Sequence, residues 1–255
     1  MKIKFLKIEG TGNDFILPLK VKPEKILKFI PFLCDRRRGI GADGVLFSID
    51  DKNYDFRMLY FNADGSRAEF CANGARCLIY YNYIKTGKRE FKFIADDGEH
   101  KGSVLKSNLV MLKMVDPKKI KDISIDGEKF TLLDSGVPHL IKETFDLENV
   151  PVVEKGRYLR FHEMFKPKGT NVDFIKIEGN KIFIRTYERG IENEVLSCGT
   201  GVVASAFYTK LKSDFEKFEV HTRGGDILYV EFNENGTFLL GPVRLVFEGL
   251  IELKF

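Results

Sequence analysis

Two cysteines stand in matching frames, Phe70-Cys71-Ala72-Asn73-Gly74 and Ser197-Cys198-Gly199-Thr200-Gly201, about half a chain apart in 255 residues. Each frame is Cys-x-x-Gly opening an apolar run of helix length, Ala75 to Tyr81 after the first and Val202 to Tyr208 after the second. A cysteine at a helix N-terminus meets unpaired backbone N–H groups and partial positive charge, which lower its pKa and enlarge its thiolate fraction. The same N–H groups can hold a carboxylate, and the small residues behind each cysteine let an anion approach the backbone. Two such thiols on opposite faces of a small carbon acid make a two-base proton-transfer site. One takes the α-proton, the other donates from the far side, and the carbon inverts without a cofactor. Helix N-termini aimed at the carboxylate would also stabilise the enolate-like charge that forms.

The other two cysteines read differently. Cys34 closes a helix and Cys77 lies mid-helix beside Leu78 and Ile79, so both are expected to be packing residues. Recognition groups flank the frames: Asn62 before Cys71, and Glu188 with Arg189 before Cys198. Arg189 could bind a carboxylate bidentately and Glu188 an ammonium, although alone they also read as a surface ion pair. Asn13 and Asn171 are either ligands or local turn formers.

The elements that must position these groups follow from pattern. Met1 to Ile8 alternates like a strand. Pro23 to Phe29 reads as helix, interrupted or restarted at Pro31 before Cys34, and Gly39 to Gly44 as a glycine-rich loop. Strands are expected over Val45 to Ile49 and Tyr54 to Phe61, with a turn at Asn62-Ala63-Asp64-Gly65 and the first cysteine helix ending near Gly87. Phe91 to Thr131 is strand-rich, with turns at Asp97-Gly98 and Asp126-Gly127. Tyr158 to Phe161, Val172 to Ile177, Lys181 to Tyr187, Phe218 to Thr222, Ile227 to Phe232 and Arg244 to Leu253 are further strand candidates.

Echoes support a duplication. Phe56-x-x-x-Tyr60 precedes Cys71 as Phe183-x-x-x-Tyr187 precedes Cys198, and Gly10 to Ile16 resembles Gly169 to Ile175. The second offset is larger than the first, which predicts about thirty extra residues in the first half, housed in the Pro23 helix and the Gly39 to Gly44 loop. Both cysteine helices are apolar on nearly every side and so are buried. The expected fold is α/β of the α+β type: two pseudo-symmetric domains, each a mainly antiparallel sheet around a central buried helix, with the active site in the interdomain cleft. The expected division is 1–115 plus 245–255 carrying Cys71, and 116–244 carrying Cys198.

Composition bounds the alternatives. Hydrophobic residues make up 44% and charged residues 31%, as in a globular protein with a sizeable core. The net charge of +4 comes from 41 basic and 37 acidic residues, mostly intermixed. Arg36-Arg37-Arg38 is a weak nucleic-acid signal, better read as a solvated helix end, so no nucleic-acid partner is expected. No segment has the length of a membrane span and the N-terminus shows no apolar signal core, so a cytoplasmic protein with reduced thiols is expected. Gly39-x-Gly41-x-x-Gly44 precedes a strand, the wrong order for a dinucleotide fingerprint. His100, His139, His162 and His221 show no metal-ligand spacing. Neither metal nor cofactor is expected.

At these residues the chain resembles the diaminopimelate epimerase family along nearly its whole length. The segments are Gly12-Asn13-Asp14-Phe15, Arg37-Arg38-Gly39-Ile40-Gly41-Ala42-Asp43-Gly44, Asn62-Ala63-Asp64-Gly65-Ser66, and Cys71-Ala72-Asn73-Gly74-Ala75-Arg76-Cys77. Pro138-His139, Thr170-Asn171-Val172-Asp173-Phe174, Tyr187-Glu188-Arg189-Gly190 and Cys198-Gly199-Thr200-Gly201 complete the set. The resemblance implies a cofactor-independent isomerase interconverting LL- and meso-2,6-diaminopimelate, on the route to lysine and peptidoglycan, and commonly a homodimer. By position, it implies Cys71 and Cys198 as the acid/base pair. Asn13, Asn62, Asn171, Glu188 and Arg189 would bind the substrate, and the amides of Ala72, Asn73, Gly199 and Thr200 its reacting carboxylate. Gly44 and Val137 stand where some members carry glutamine and asparagine, and many have glycine in place of Ala72. Proline racemases and hydroxyproline epimerases share a Cys-Gly-Thr-Gly frame, but their first cysteine frame resembles Cys-Gly-His-Gly rather than Cys71-Ala72-Asn73-Gly74. A thiol redox protein using a Cys71–Cys198 pair is the reading from another class.

Overall fold

β1 (Lys2–Gly10), whose burial alternates from Lys2 to Phe5 and is nearly continuous beyond, pairs antiparallel with the mostly buried β2 (Asn13–Pro18) from Phe5↔Pro18 to Gly10↔Asn13. The computed structural model describes residues 1–253. Two compact units emerge, one of Met1–Leu112 with the segment from Gly241 onward, the other of Lys113–Leu240.

In the first unit β2 runs parallel to β3 (Gly44–Ile49), which pairs antiparallel with β4 (Phe56–Asn62). The far edge of β4 carries the short β5 (Arg67–Ala68) and, in parallel, β6 (Glu90–Ala95). Antiparallel β7 (Gly98–Lys106) and β8 (Leu109–Met114) follow. The second unit repeats this order. β9 (Lys118–Ile125), β10 (Glu128–Asp134) and β11 (Pro138–Glu143) are antiparallel, and β11 runs parallel to β12 (Asn171–Glu178). β13 (Lys181–Glu188) pairs with β12, then with the short β14 (Asn193–Val195) and, in parallel, β15 (Lys217–His221). β16 (Ile227–Asn233) and β17 (Gly236–Pro242) continue antiparallel. β18 (Arg244–Glu252) returns to β1, in the place β9 holds beside β10.

Each second parallel crossover carries a cysteine helix, α2 (Ala72–Thr86) or α4 (Gly199–Lys210). Nearly every residue in the first two turns of both is buried, and the strands of the same unit surround each helix. Each first crossover carries a smaller helix on the other sheet face: α1 (Ile30–Cys34) and α3 (Val152–Arg160). Strand alternation divides the two faces. Val45 and Phe47 pack with Ile30 and Leu33, and Val172 and Phe174 with Val152 and Leu159. The residues between them, Leu46 and Asp173, point the other way, to the cysteine helix. The pseudo-symmetric, sheet-around-helix fold is what the sequence led us to expect.

Three expectations need correction. Tyr158 to Phe161 is not a strand: it lies in and just after α3, which buries Val152, Gly156 and Leu159 at helical spacing behind Pro151. Pro23 to Phe29 forms two short 3-10 turns, Pro23–Lys25 and Leu27–Phe29, and α1 starts at Ile30, with Pro31 in its first turn. The echo of Gly10 to Ile16 in Gly169 to Ile175 is not a structural equivalence. The counterpart of the β1–β2 hairpin is the β10–β11 hairpin, closed at Asp134↔Pro138, whereas Asn171 opens β12, the counterpart of β3. Both halves carry a connection of similar length at this point, 19–43 and 144–170, so no thirty-residue excess exists.

Candidate active site

Cys71 and Cys198 occupy the same local geometry. Each is the extended N-cap of its helix, with φ −146° and ψ 118° at Cys71 and φ −125° and ψ 111° at Cys198. That conformation turns the first helical N–H groups outward from the cap. Both residues are half-buried, and all four cysteines are unbridged. What surrounds the two sulfurs differs.

Around Cys71 the partners are amides. Its Sγ accepts from the Gly74 N–H at 3.5 Å and donates to Asn13 Oδ1 at 3.6 Å. Asn73 Nδ2 donates to the same oxygen at 3.4 Å. Asn73 Oδ1 in turn receives Arg76 Nη2 at 2.9 Å, and that guanidinium, fully buried, also reaches Thr11 Oγ1 at 3.1 Å. On the other side Asn13 Nδ2 donates to Asp43 Oδ2 at 2.7 Å. Arg36 bridges Asp43 and Asp14, and Lys7 closes on Asp14 at 2.7 Å. Lys7 and Arg36 hold Asp14 down to about 2 against the cost of its burial. All three residues of the arginine run are exposed, as expected of a solvated helix end, and Arg36 in addition holds Asp14 and Asp43.

Around Cys198 the partners form a polar chain through His139, to which the sequence assigns no role of its own. Cys198 Sγ lies 3.4 Å from Thr200 Oγ1, which lies 2.9 Å from His139 Nε2. His139 Nδ1 meets Asp173 Oδ2 at 2.6 Å, and Asp173 Oδ1 accepts from Thr186 Oγ1 at 2.7 Å. His139 and Asp173 are wholly buried. Burial, with Glu188 and Asp173 nearby, pushes the Cys198 thiol well above its ordinary range; hydrogen bonds from Thr200 and the Gly201 N–H only partly oppose this. A lowered pKa at both helix starts is thus not found: desolvation and two carboxylates outweigh the helix N-terminus at Cys198. Cys34 is pushed up to about 12 and Cys77 well above its range, both by burial, as befits packing residues.

The remaining candidates divide between the units. In the first, the structure groups Asn13, Asn73 and Cys71, with Ala72 buried behind them, while Asn62 bonds Ser66 Oγ at 3.0 Å. In the second, buried Asn171 donates to the Pro138 carbonyl at 3.2 Å and accepts the Arg189 N–H at 2.8 Å, its amide also 3.4 Å from His139 Nε2. Asn171 therefore ties the end of β13 to β11 rather than forming a local turn. Glu188 and Arg189 are half-buried, and Arg189 Nη1 lies 3.5 Å from the Lys168 and Gly169 carbonyls. Gly199 and Thr200 open α4 behind Cys198. Gly44 admits no side chain, since a Cβ there would sit 2.4 Å from the Phe61 carbonyl. Among the described residues no cluster of three His, Cys, Asp or Glu could hold a metal ion, and no helix is long and apolar enough to cross a membrane.

Known proteins share both halves of this arrangement. The family profile described as Diaminopimelate epimerase matches residues 5–120 and again 131–246. Proteins named diaminopimelate epimerase are 38% identical in Aquifex aeolicus (98% of this chain, 98% of that one) and 37% in Methanocella arvoryzae (100% and 98%). The Flavobacterium psychrophilum protein of that name is 36% identical (98% and 100%). The fold also recurs in a phenazine biosynthesis protein of the PhzF family from Bacillus anthracis, with TM-score 0.76, 14% identity, and 99% and 100% of the two chains covered. A probable proline racemase from Agrobacterium radiobacter K84 gives 0.74 and 16%, covering 99% and 93%. With the family profile spanning both cysteine-bearing halves and relatives above one third identity end to end, the chain belongs to the diaminopimelate epimerase family.

Proposed function

We propose that this chain interconverts LL- and meso-2,6-diaminopimelate by α-proton transfer between two cysteines, without a cofactor, in the making of lysine and peptidoglycan precursors. The observation that carries it is the repeated one: Cys71 and Cys198 each cap a buried helix at pseudo-equivalent positions in a family of epimerases. In one direction Cys198 is the base. Its proton has a route to Thr200 Oγ1 and on to His139 Nε2, while Asp173 holds the other ring nitrogen and stabilises the imidazolium. Cys71 then gives its S–H proton to the opposite face of the same carbon. In the other direction Cys71 is the base, leaning on the Gly74 N–H and the start of α2, and Cys198 is the donor.

The amides of Ala72, Asn73, Gly199 and Thr200 hold the carboxylate at the reacting carbon and stabilise charge as the α-proton leaves. Asn13, Asn62, Asn171, Glu188 and Arg189 bind the substrate, chiefly its distal amino-acid end, where Gly44 contributes backbone alone. The four free thiols support a reducing, cytoplasmic setting. We also read the enzyme as a homodimer, supported by the exposed Leu245, Val246, Phe247 and Leu250 on β18; sedimentation as a monomer would refute that part.

Incubation of the reduced protein with LL-diaminopimelate in D₂O, without pyridoxal phosphate, tests the chemistry. Chiral separation and mass spectrometry should show α-deuterated meso product, with Cys71→Ser and Cys198→Ser slowed by about 10²-fold or more. Absence of deuterium from both isomers would remove the substrate assignment.

A further inference from the structure

The hydrogen bonds around Cys71 run in one direction. Arg76 can only donate, and it donates to Asn73 Oδ1; Asp43, ionised, can only accept, and it accepts from Asn13 Nδ2. Between these fixed ends, Asn73 has only its NH₂ to offer Asn13, and Asn13 only its carbonyl oxygen to receive it. An amide orientation that is otherwise an assignment is here dictated by charges at both ends. The Asn13 oxygen so presented lies 3.6 Å from Cys71 Sγ.

We infer that Asp43 is a positioning residue for Cys71: it locks the Asn13 amide so that its carbonyl receives the Cys71 S–H, readying that thiol as the proton donor. Asp43 reaches Cys71 through the Asn13 amide. It is itself held from three sides, by Arg36 at 2.7 Å, by the Asp14 N–H at 3.2 Å, and through its own N–H bond to Asp14 Oδ1 at 3.0 Å. A carbonyl oxygen facing sulfur favours thiol over thiolate, opposing the Gly74 N–H and the helix start. The charged groups around this network are Lys7 and Glu9 on β1, Asp14 on β2, Arg36 and Asp43 before β3, and Arg76 on α2. Glu9 is engaged by Arg244 at 2.7 Å and Asp14 by Lys7 and Arg36, leaving Asp43 as the carboxylate bonded to the Asn13 amide.

The inference rests on Cys71 acting as a donor in the proposed reaction, but its test uses no substrate, so failure of the substrate assignment would not touch it. The pH dependence of iodoacetamide alkylation at Cys71, read by mass spectrometry in a Cys198→Ser background, reports its thiolate fraction. Asp43→Ala should lower the midpoint and speed alkylation at neutral pH by roughly three- to tenfold, the worth of one modest hydrogen bond. A purely structural role would change melting temperature without moving that midpoint. In an Asn13→Ala background the effect of Asp43→Ala should vanish. An unmoved midpoint would overturn the inference, and so would a shift that persists without Asn13, which would mean a through-space charge effect. If Asp43→Ala does not fold, Asp43→Asn carries the same test, because its amide no longer dictates which end of Asn13 it meets.

Discussion

Leu46 lies beneath the start of α2, which itself carries the buried Arg76; beneath the start of α4 lies the buried Asp173, and α4 carries Val203 where α2 has Arg76. The backbone is the same and the charge is opposite. The first cysteine helix carries a cation tied to Asn73 and Thr11, and an anion tied to His139 and Thr186 lies beneath the second. Buried charge is costly without hydrogen-bond partners, and each has two, Asn73 and Thr11 for Arg76 and His139 and Thr186 for Asp173. The comparison teaches that duplication supplied two copies of a helix-capping thiol, and that single core positions then made them unlike. A proton donor and a proton acceptor that exchange roles need such unlike settings, because identical sites would hold their protons equally.

Exchanging the two floor residues should break the comparison most severely. Asp173→Leu leaves buried His139 and Thr186 without their acceptor and should cost about 3 to 5 kcal/mol in urea denaturation, the range for breaking a buried pair. Leu46→Asp places a carboxylate under Gly74 with no histidine to meet it and should cost several kcal/mol, on the order of an unpaired buried charge. If either variant were as stable as the wild type, the floor residues would not be what distinguishes the halves.

A sharper and smaller effect comes from the glycines that face those floors. A Cβ at Gly201 would lie 2.7 Å from Asp173 Oδ1 and 3.3 Å from both His139 Cε1 and Thr186 Oγ1, all fixed by hydrogen bonds. A Cβ at Gly74 would meet Leu46 Cδ2 at 2.9 Å, the end of a side chain that can turn aside. Alanine in a helix gains up to about 1 kcal/mol over glycine, which offsets modest crowding. Gly201→Ala should therefore destabilise by about 1 to 3 kcal/mol and slow turnover in the direction that uses Cys198 as base. Gly74→Ala should stay within about 1 kcal/mol of wild type. Equal thermal shifts would mean the floor of α4 is as yielding as that of α2.

Much of this was legible before any coordinates. The cysteine frames, the apolar helices behind them and most of the long strands follow from periodicity and glycine placement, because these are local signals; β2, β11 and β17 are not among the expected strands. His139 was not legible from its surroundings. Its partners Asp173 and Thr200 lie 34 and 61 residues away in sequence, and nothing in Pro138-His139 announces them. A trace did exist: Asp173 sits between Val172 and Phe174 where buried-strand alternation requires a core residue, and it aligns with Leu46 under the offset that aligns the cysteines. That offset was masked by the stronger likeness of Gly10 to Ile16 with Gly169 to Ile175, which is likeness of composition without likeness of place. Tyr158 to Phe161 misled for a related reason, since four residues with two aromatics cannot distinguish a strand from the end of a nine-residue helix.

The smallest expected difference between the units is in their response to acid. Asp14 belongs to the first unit, and its folded pKa of about 2 lies below the ordinary 3.8. A depressed carboxyl contributes stability that is fully present above its unfolded pKa, so this contribution is intact near pH 5. It is lost as pH falls from about 4 toward 2, where the unfolded chain binds the proton first. With the side chain partly exposed, the loss should be on the order of 1 to 2 kcal/mol. Urea midpoints between pH 5 and pH 2 should show a steeper acid fall for wild type than for Asp14→Asn, which starts lower and declines less. Amide exchange should place the earliest acid-induced opening in β2 and the segment before β3. Parallel acid slopes in the two proteins would mean that Lys7 and Arg36 do not hold Asp14 ionised. The same chain of ion pairs supports Asp43, so that result would also weaken the case for a fixed Asn13.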